Sequence, residues 1–166
     1  MHVTRLRVRF DEVDVMGVVH HPRYLVYFEV ARTETFRALG IVYRDVMAAG
    51  THLAVAGAGA RYLRPARYDD ALEVETRCTE VRGASVLLEY VVRRGDEVLA
   101  TGFSRHAAVD GSGRAKRLPA DVRERFAAVV EAPDPRSASR DGRDGPRDGP
   151  RDGGEARAAS GVEGGA

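Results

Sequence analysis

The sequence predicts an α+β protein, with a helix segregated onto one face of a mainly antiparallel sheet. Three observations carry that expectation. A strand-like stretch opens the chain, one long stretch with helical spacing follows, and four strand-like stretches then run on without an intervening helix. A sheet covered by one helix leaves a strand edge exposed, and pairing that edge with a second copy, as a homodimer or homotetramer, is the expected solution.

The elements follow in order. "VTRLRVRF" sets Val3, Leu6, Val8 and Phe10 among arginines at near period-two spacing, which predicts a first strand with one buried face, ending near Phe10. From Pro22 the period changes. Tyr24, Leu25, Phe28, Ala31, Arg32, Thr35, Phe36 and Leu39 recur at three- and four-residue intervals, as in an amphipathic helix, and Gly40 stands at the stop position. Proline suits the first helical position because its missing N–H would have no partner there. "YRDVMAAG" predicts a short second helix ending at Gly50. "THLAVAGAGARYL", "ALEVETRCTEV", "SVLLEYVVRR" and "EVLATGFSRHAAV" are the four later strands, with "RGDE" a tight hairpin between the last two. "PADVRERFAAVVEA" reads as a final surface helix.

Residues 1–132 are therefore expected to form one domain. From 133 to 166, "RDGRDGPRDGPRDGGEAR" has almost nothing to bury and is expected to be a disordered, solvating tail. An aspartate follows each arginine of the repeat, which cancels much of the attraction to phosphate.

Composition narrows the function. The chain has 166 residues and carries 26 basic against 25 acidic side chains, without the clustered basic excess of a nucleic-acid binder. Cys78 is the single cysteine, so no internal disulfide forms and no paired-thiolate metal site exists. No basic-then-apolar leader opens the sequence, and no apolar run approaches the roughly 18 residues of a membrane span. The reading is a cytoplasmic protein without a metal or resident cofactor.

The chemistry concentrates in "DVMGVVHHPRY", residues 14–24. Asp14 lies in a loop ahead of the long helix, within reach of a helix start whose unpaired N–H groups favour anions. The same N–H groups can bond a carbonyl oxygen on which charge is growing, as acyl transfer requires. Gly17 allows a tight turn and close approach of a substrate. On spacing alone, Asp14 as turn former and His21 as helix cap remain equally ordinary readings.

"RVRFDEVDVMGVVHHPRYLVYFEVARTETF", with the later "RYLRPARYDDALEVET" and "EVRGAS", resembles hotdog-fold acyl-CoA thioesterases of the 4-hydroxybenzoyl-CoA thioesterase type, especially the branch associated with the Tol-Pal envelope system. The resemblance implies a sheet of five or six strands around the long helix. It also implies Asp14 as the catalytic carboxylate, His21 as a second catalytic residue and source of the backbone donor, and coenzyme A only as part of the substrate. Gly17, Val18, His20 and Tyr24 are the expected substrate contacts. His20, Met16 and Val13 depart from residues frequent in relatives, which bears on acyl specificity.

Thioester hydrolysis follows, with Asp14 attacking the carbonyl or activating water, and with coenzyme A or acyl carrier protein as the carrier. Arg61, Arg64 and Arg67 are candidates for the phosphates of coenzyme A. Cys78 is in phase with Leu72, Val74 and Thr76 and is expected to be an inert core thiol. Glu29 and Glu34 suit ion pairs, while His52 and His106 lack ligand spacing. Two rival functions are a hotdog dehydratase or hydratase, using a histidine base, and a noncatalytic acyl-thioester binding module.

Overall fold

The computed structural model describes residues 1–136, in the order β1 (His2–Arg7), a 3-10 turn (Phe10–Glu12), α1 (Arg23–Ala38), α2 (Tyr43–Ala48), β2 (His52–Tyr62), β3 (Ala71–Val81), β4 (Ser85–Arg94), β5 (Glu97–Val109) and α3 (Ala120–Ala127). All five strands join one antiparallel sheet, ordered β1-β3-β4-β5-β2, which leaves β1 and β2 at its edges. This is the hotdog architecture, the sheet being the bun and α1 the filling.

The inner face of the sheet follows from alternation. Leu72, Val74, Thr76 and Cys78 on β3 and Val86, Leu88, Tyr90 and Val92 on β4 are all buried toward α1. In reply α1 buries Tyr24, Tyr27, Phe28, Ala31, Thr35 and Phe36. The Phe28 ring stacks on Tyr90 with centroids 4.5 Å apart and planes 8° from parallel. Beneath it lies Gly102 of β5. A Cβ built there would stand 2.6 Å from the Gly59 carbonyl oxygen and nearer still to the Phe28 ring. Only a residue without a side chain lets α1 sit this deep.

The C-terminal end of α1 closes in a Schellman arrangement, with Ile41 N–H donating to Phe36 O at 2.8 Å, Gly40 N–H donating to Arg37 O at 2.9 Å and Gly40 at φ 70°. Behind α1, the Ser104 hydroxyl lies 2.6 Å from the Tyr90 hydroxyl and 2.8 Å from His106 Nε2. Burial, reinforced by the Arg32 guanidinium, pushes His106 down to about 4, so its ring is a neutral core group. Burial likewise pushes the Cys78 thiol up to about 12, consistent with an inert thiol.

Three expectations are corrected. In β1 the inward phase is Thr4, Leu6 and Val8; Val3 lies out of phase on the opposite face, and Phe10 faces solvent because the chain leaves the strand at Arg7 and turns through a 3-10 segment. On α1, Leu25 is exposed and Tyr27 takes the buried position. The last helix is part of the core: Val122 and Phe126 are buried, and the Phe126 ring meets Phe36 edge-on at 5.3 Å.

Contacts with the sheet continue past residue 132. Glu131 N–H donates to Cys78 O at 2.9 Å, and Asp134 is buried, its backbone N–H on Glu89 and its carboxylate on Arg77 and Arg136. The packed chain reaches at least Arg136, and the remainder of the expected tail lies outside the described residues.

Replacing Gly102 by alanine is expected to destabilise the fold by about 2 kcal/mol, the scale of overpacking a tight core. Denaturant unfolding of Gly102→Ala measures it, and a loss below a few tenths would show that α1 can lift without cost.

Candidate active site

The loop between the 3-10 turn and α1 is a small hairpin closed on itself. Val13 and Val19 bridge antiparallel, Asp14 N–H donates to Val18 O at 2.9 Å, and His20 N–H donates to Glu12 O at 2.9 Å. At its tip Gly17 N–H donates to Asp14 O at 2.9 Å with Gly17 at φ 70°, a conformation costly for any residue with a Cβ. One carboxylate oxygen of Asp14 accepts the Met16 N–H at 2.8 Å. The other has no partner among the described residues. Asp14 is thus a turn former after all, but through Oδ1 alone. Its carboxylate bonds its own turn, and no helix N–H donates to it among the described residues.

Glu12 fastens this hairpin to α1 from below. Its buried carboxylate accepts Arg9 N–H at 2.8 Å and the Tyr27 hydroxyl at 2.9 Å. Burial and the neighbouring carboxylate both hold Tyr27 far above its ordinary range, so it stays protonated and donating.

The amides at the start of α1 are mostly occupied. Arg23 N–H donates to His20 O, Tyr24 N–H to His21 O and Leu25 N–H to Pro22 O, while Pro22 has no N–H. The amide of His21 meets no acceptor among the described residues. Its peptide plane is fixed at the far end, where His20 O takes the Arg23 N–H at 2.9 Å, and the His21 carbonyl accepts the Tyr62 hydroxyl at 3.0 Å. A free N–H held in place beside a helix start is suited to an anionic oxygen.

These groups share one cleft of about 360 Å³, whose walls include Asp14, Met16, Val18, His21, Tyr24, Tyr62 and Arg64. The Tyr62 ring is edge-on to Tyr24 at 5.2 Å and to His21 at 6.2 Å. The His21 side chain makes no hydrogen bond to α1 among the described residues, while its carbonyl accepts the Tyr24 N–H at 3.4 Å, as a cap working through backbone alone would. Its ring rests edge-on against His20, 4.8 Å away.

Of the expected substrate contacts, Val18, Tyr24 and Arg64 line the cleft with Asp14 and His21. Arg64 also pairs with Glu97 at 3.3 Å. Gly17, His20 and Arg67 stand beside the cleft without lining it. Arg61 is a correction: it alternates with the cleft-lining Tyr62 on β2 and pairs with Thr101, so it belongs to the opposite face of the sheet. Sequence reasoning passed over Tyr62 altogether. Its signal was an aromatic at the end of a strand otherwise built of small residues, pointing the opposite way from Arg61.

A single curved sheet around one helix, with a carboxylate and an unoccupied amide facing a common cleft, defines a class of hotdog proteins built for acyl chemistry. The chain belongs to the thioesterase-like superfamily, whose sequence model matches residues 8–126. It is 34% identical over 123 residues to the acyl-CoA thioesterase YbgC of Haemophilus influenzae, covering 73% of this chain and 90% of that protein. Among solved structures, the hypothetical protein TT1821 of Thermus thermophilus is similar at 39% identity and a TM-score of 0.74, over 76% of this chain and 98% of the other. The hypothetical protein AQ1494 of Aquifex aeolicus matches at 32% identity and 0.73, over 76% and 99%.

Tyr62→Phe removes only the hydroxyl that fixes the His21 carbonyl. Thioester turnover is expected to fall about fivefold, the worth of roughly one hydrogen bond, with little change in thermal stability. Unchanged turnover would mean that this contact does not orient the helix start.

Proposed function

We propose that this protein is an acyl-CoA thioesterase, hydrolysing a thioester to a free acid and coenzyme A. The observation that carries the proposal is the convergence of Asp14 and His21 on one cleft, the former with an unpartnered oxygen and the latter with an unpartnered amide. The thioester carbonyl oxygen is placed on the His21 N–H, which stabilises the negative charge that develops when the carbonyl carbon becomes tetrahedral. Asp14 Oδ2 delivers the electron pair, either directly or by drawing a proton from water. The C–S bond then breaks, and the thiolate leaves and takes up a proton. On the water route this gives the free acid at once. Direct attack instead leaves the acyl group on Asp14 as a mixed anhydride, which water hydrolyses to the free acid and the restored carboxylate. The His21 imidazole, on the cleft wall, is placed to orient the water.

No resident cofactor enters this scheme, and coenzyme A is present only as the leaving group. Met16 and Val18 supply an apolar wall for the acyl chain. Family membership and the acyl-CoA thioesterase relative support the same reading.

The functional unit is proposed to be at least a homodimer formed along β2. Among the described residues that strand is an unpaired sheet edge, and Val55 on it, with Val26 and Val30 on α1, is left exposed. A second copy adding its own β2 would satisfy the edge and cover these side chains. Light scattering is expected to give at least twice the chain mass at micromolar concentration, and a monomer there would remove this part.

Asp14→Asn is expected to slow release of free thiol from acyl-CoA by at least about a hundredfold while the fold persists. Full retention of hydrolysis would remove Asp14 from the mechanism. The assay also separates a hydratase, which would consume an enoyl-CoA without releasing thiol.

A further inference from the structure

Two aromatic side chains stand together on the surface for no reason of packing. Phe10 is 78% exposed and Tyr68 57% exposed, yet their rings meet edge to face with centroids 5.7 Å apart. Water drives such rings together, and a pair that still leaves this much apolar surface uncovered points to a ligand with a flat apolar face.

The chain works to hold them there. Val8 N–H donates to Asp70 O and Asp69 N–H to Val8 O, both at 3.0 Å, tying the segment before Phe10 to the one after Tyr68. Asp69 adopts φ 67°, the sole non-glycine residue with positive φ among the described residues. Such backbone persists where the surroundings enforce it and tends to cluster at binding sites. Arg7 supplies the enforcement by donating to both the Asp69 carbonyl and its carboxylate.

Positive charge lies on both sides of the pair. Arg67, next to Tyr68 in sequence, runs toward the catalytic hairpin: a Cβ placed on Gly17 would lie 3.9 Å from its Nη1. Arg23 donates to the carbonyl of Asp11, the residue after Phe10. Neither guanidinium meets a carboxylate among the described residues, because Asp11, Asp69 and Asp70 are engaged by Arg9, Arg7 and Arg94. Arg67 thus links the Asp14 hairpin, which its guanidinium approaches at Gly17, to Tyr68, its neighbour in the chain, and through Tyr68 to Phe10.

We propose that Phe10 and Tyr68 form the platform for the adenine ring of coenzyme A, with Arg67 and Arg23 gripping its phosphates. The proposal rests on the acyl-CoA reading and names the carrier end of that substrate. An aromatic surface stacks on a nucleobase of any orientation, and guanidinium groups match phosphate oxygens in pairs. The pantetheine arm would run past Gly17, where the missing side chain leaves the rim low, and present the thioester to Asp14.

Adenosine 3′,5′-bisphosphate carries the adenine and phosphates without a thioester and is the probe, titrated calorimetrically into the full chain. Phe10→Ala and Tyr68→Ala are each expected to weaken its binding about tenfold, the usual loss for one stacking partner. Arg67→Gln is expected to weaken it and flatten its salt dependence. Both aromatic side chains are exposed, so their truncation leaves the core intact.

A kinetic arm compares one acyl group carried by coenzyme A and by pantetheine. The wild type is expected to favour coenzyme A in kcat/KM by at least about tenfold, and the double aromatic variant to lose most of that preference. Probe binding unaffected by the aromatic variants, or equal kcat/KM for the two carriers in the wild type, would overturn the platform. The pantetheine thioester reports the chemistry at Asp14 alone. Turnover of both thioesters without preference strikes only the platform. Turnover of neither strikes the acyl-CoA reading, and the probe titration still decides the platform.

Discussion

The depth at which the Phe28 ring sits between Tyr90 and Gly102 sets the distance between α1 and the sheet. Every other inner contact is arranged around that wedge, because Phe28 is on the first half of α1, close to the end that opens toward the cleft. Protein interiors are packed too densely to absorb a shift of one methyl group locally. Lifting α1 at Phe28 would therefore also move Tyr24 and Tyr27, and with them the cleft wall and the brace beneath the Asp14 hairpin.

From that seat the site is assembled by short-range bonds. Glu12 ties the hairpin to Tyr27 from one side, and Tyr62 ties the His21 carbonyl from the other. Between them the hairpin fixes Asp14 by its own turn, using one oxygen and leaving the second uncommitted. Held in this way, the second oxygen points in a fixed direction at no further cost in ordering. A neutral buried His106 and a protonated Cys78 stay behind α1 as packing groups, consistent with their separation from the cleft.

Much of this was legible in the chain. The bounds of β3, β4 and β5 coincide with the stretches read as strands, because both strand faces there meet regular partners. Asp14, Val18, His21 and Tyr24, which line one cleft, stood out because a tight turn, a glycine and a helix-starting proline are all local signals. What failed depended on distant contacts. Phe10 looked like strand core because its period-two spacing continues past Arg7, but the bend into the 3-10 turn is set by Glu12 and Tyr27. Phe126 looked like surface because two apolar positions make a narrow stripe, and only Phe36, far away in sequence, gives it a place to bury. Arg61 and Tyr62 were exchanged in importance because the hairpin that the strand's end faces cannot be read from the strand itself.

Tyr62 belongs to two structures at once. Its side chain holds the mouth of the helix, while its backbone lies on an outer margin of the sheet. Drift in the β2 sequence is therefore filtered twice, by what the margin tolerates and by what the hydroxyl must reach. Lineages that remodel that margin would inherit an altered helix mouth as a by-product, without any substitution in the hairpin that faces it.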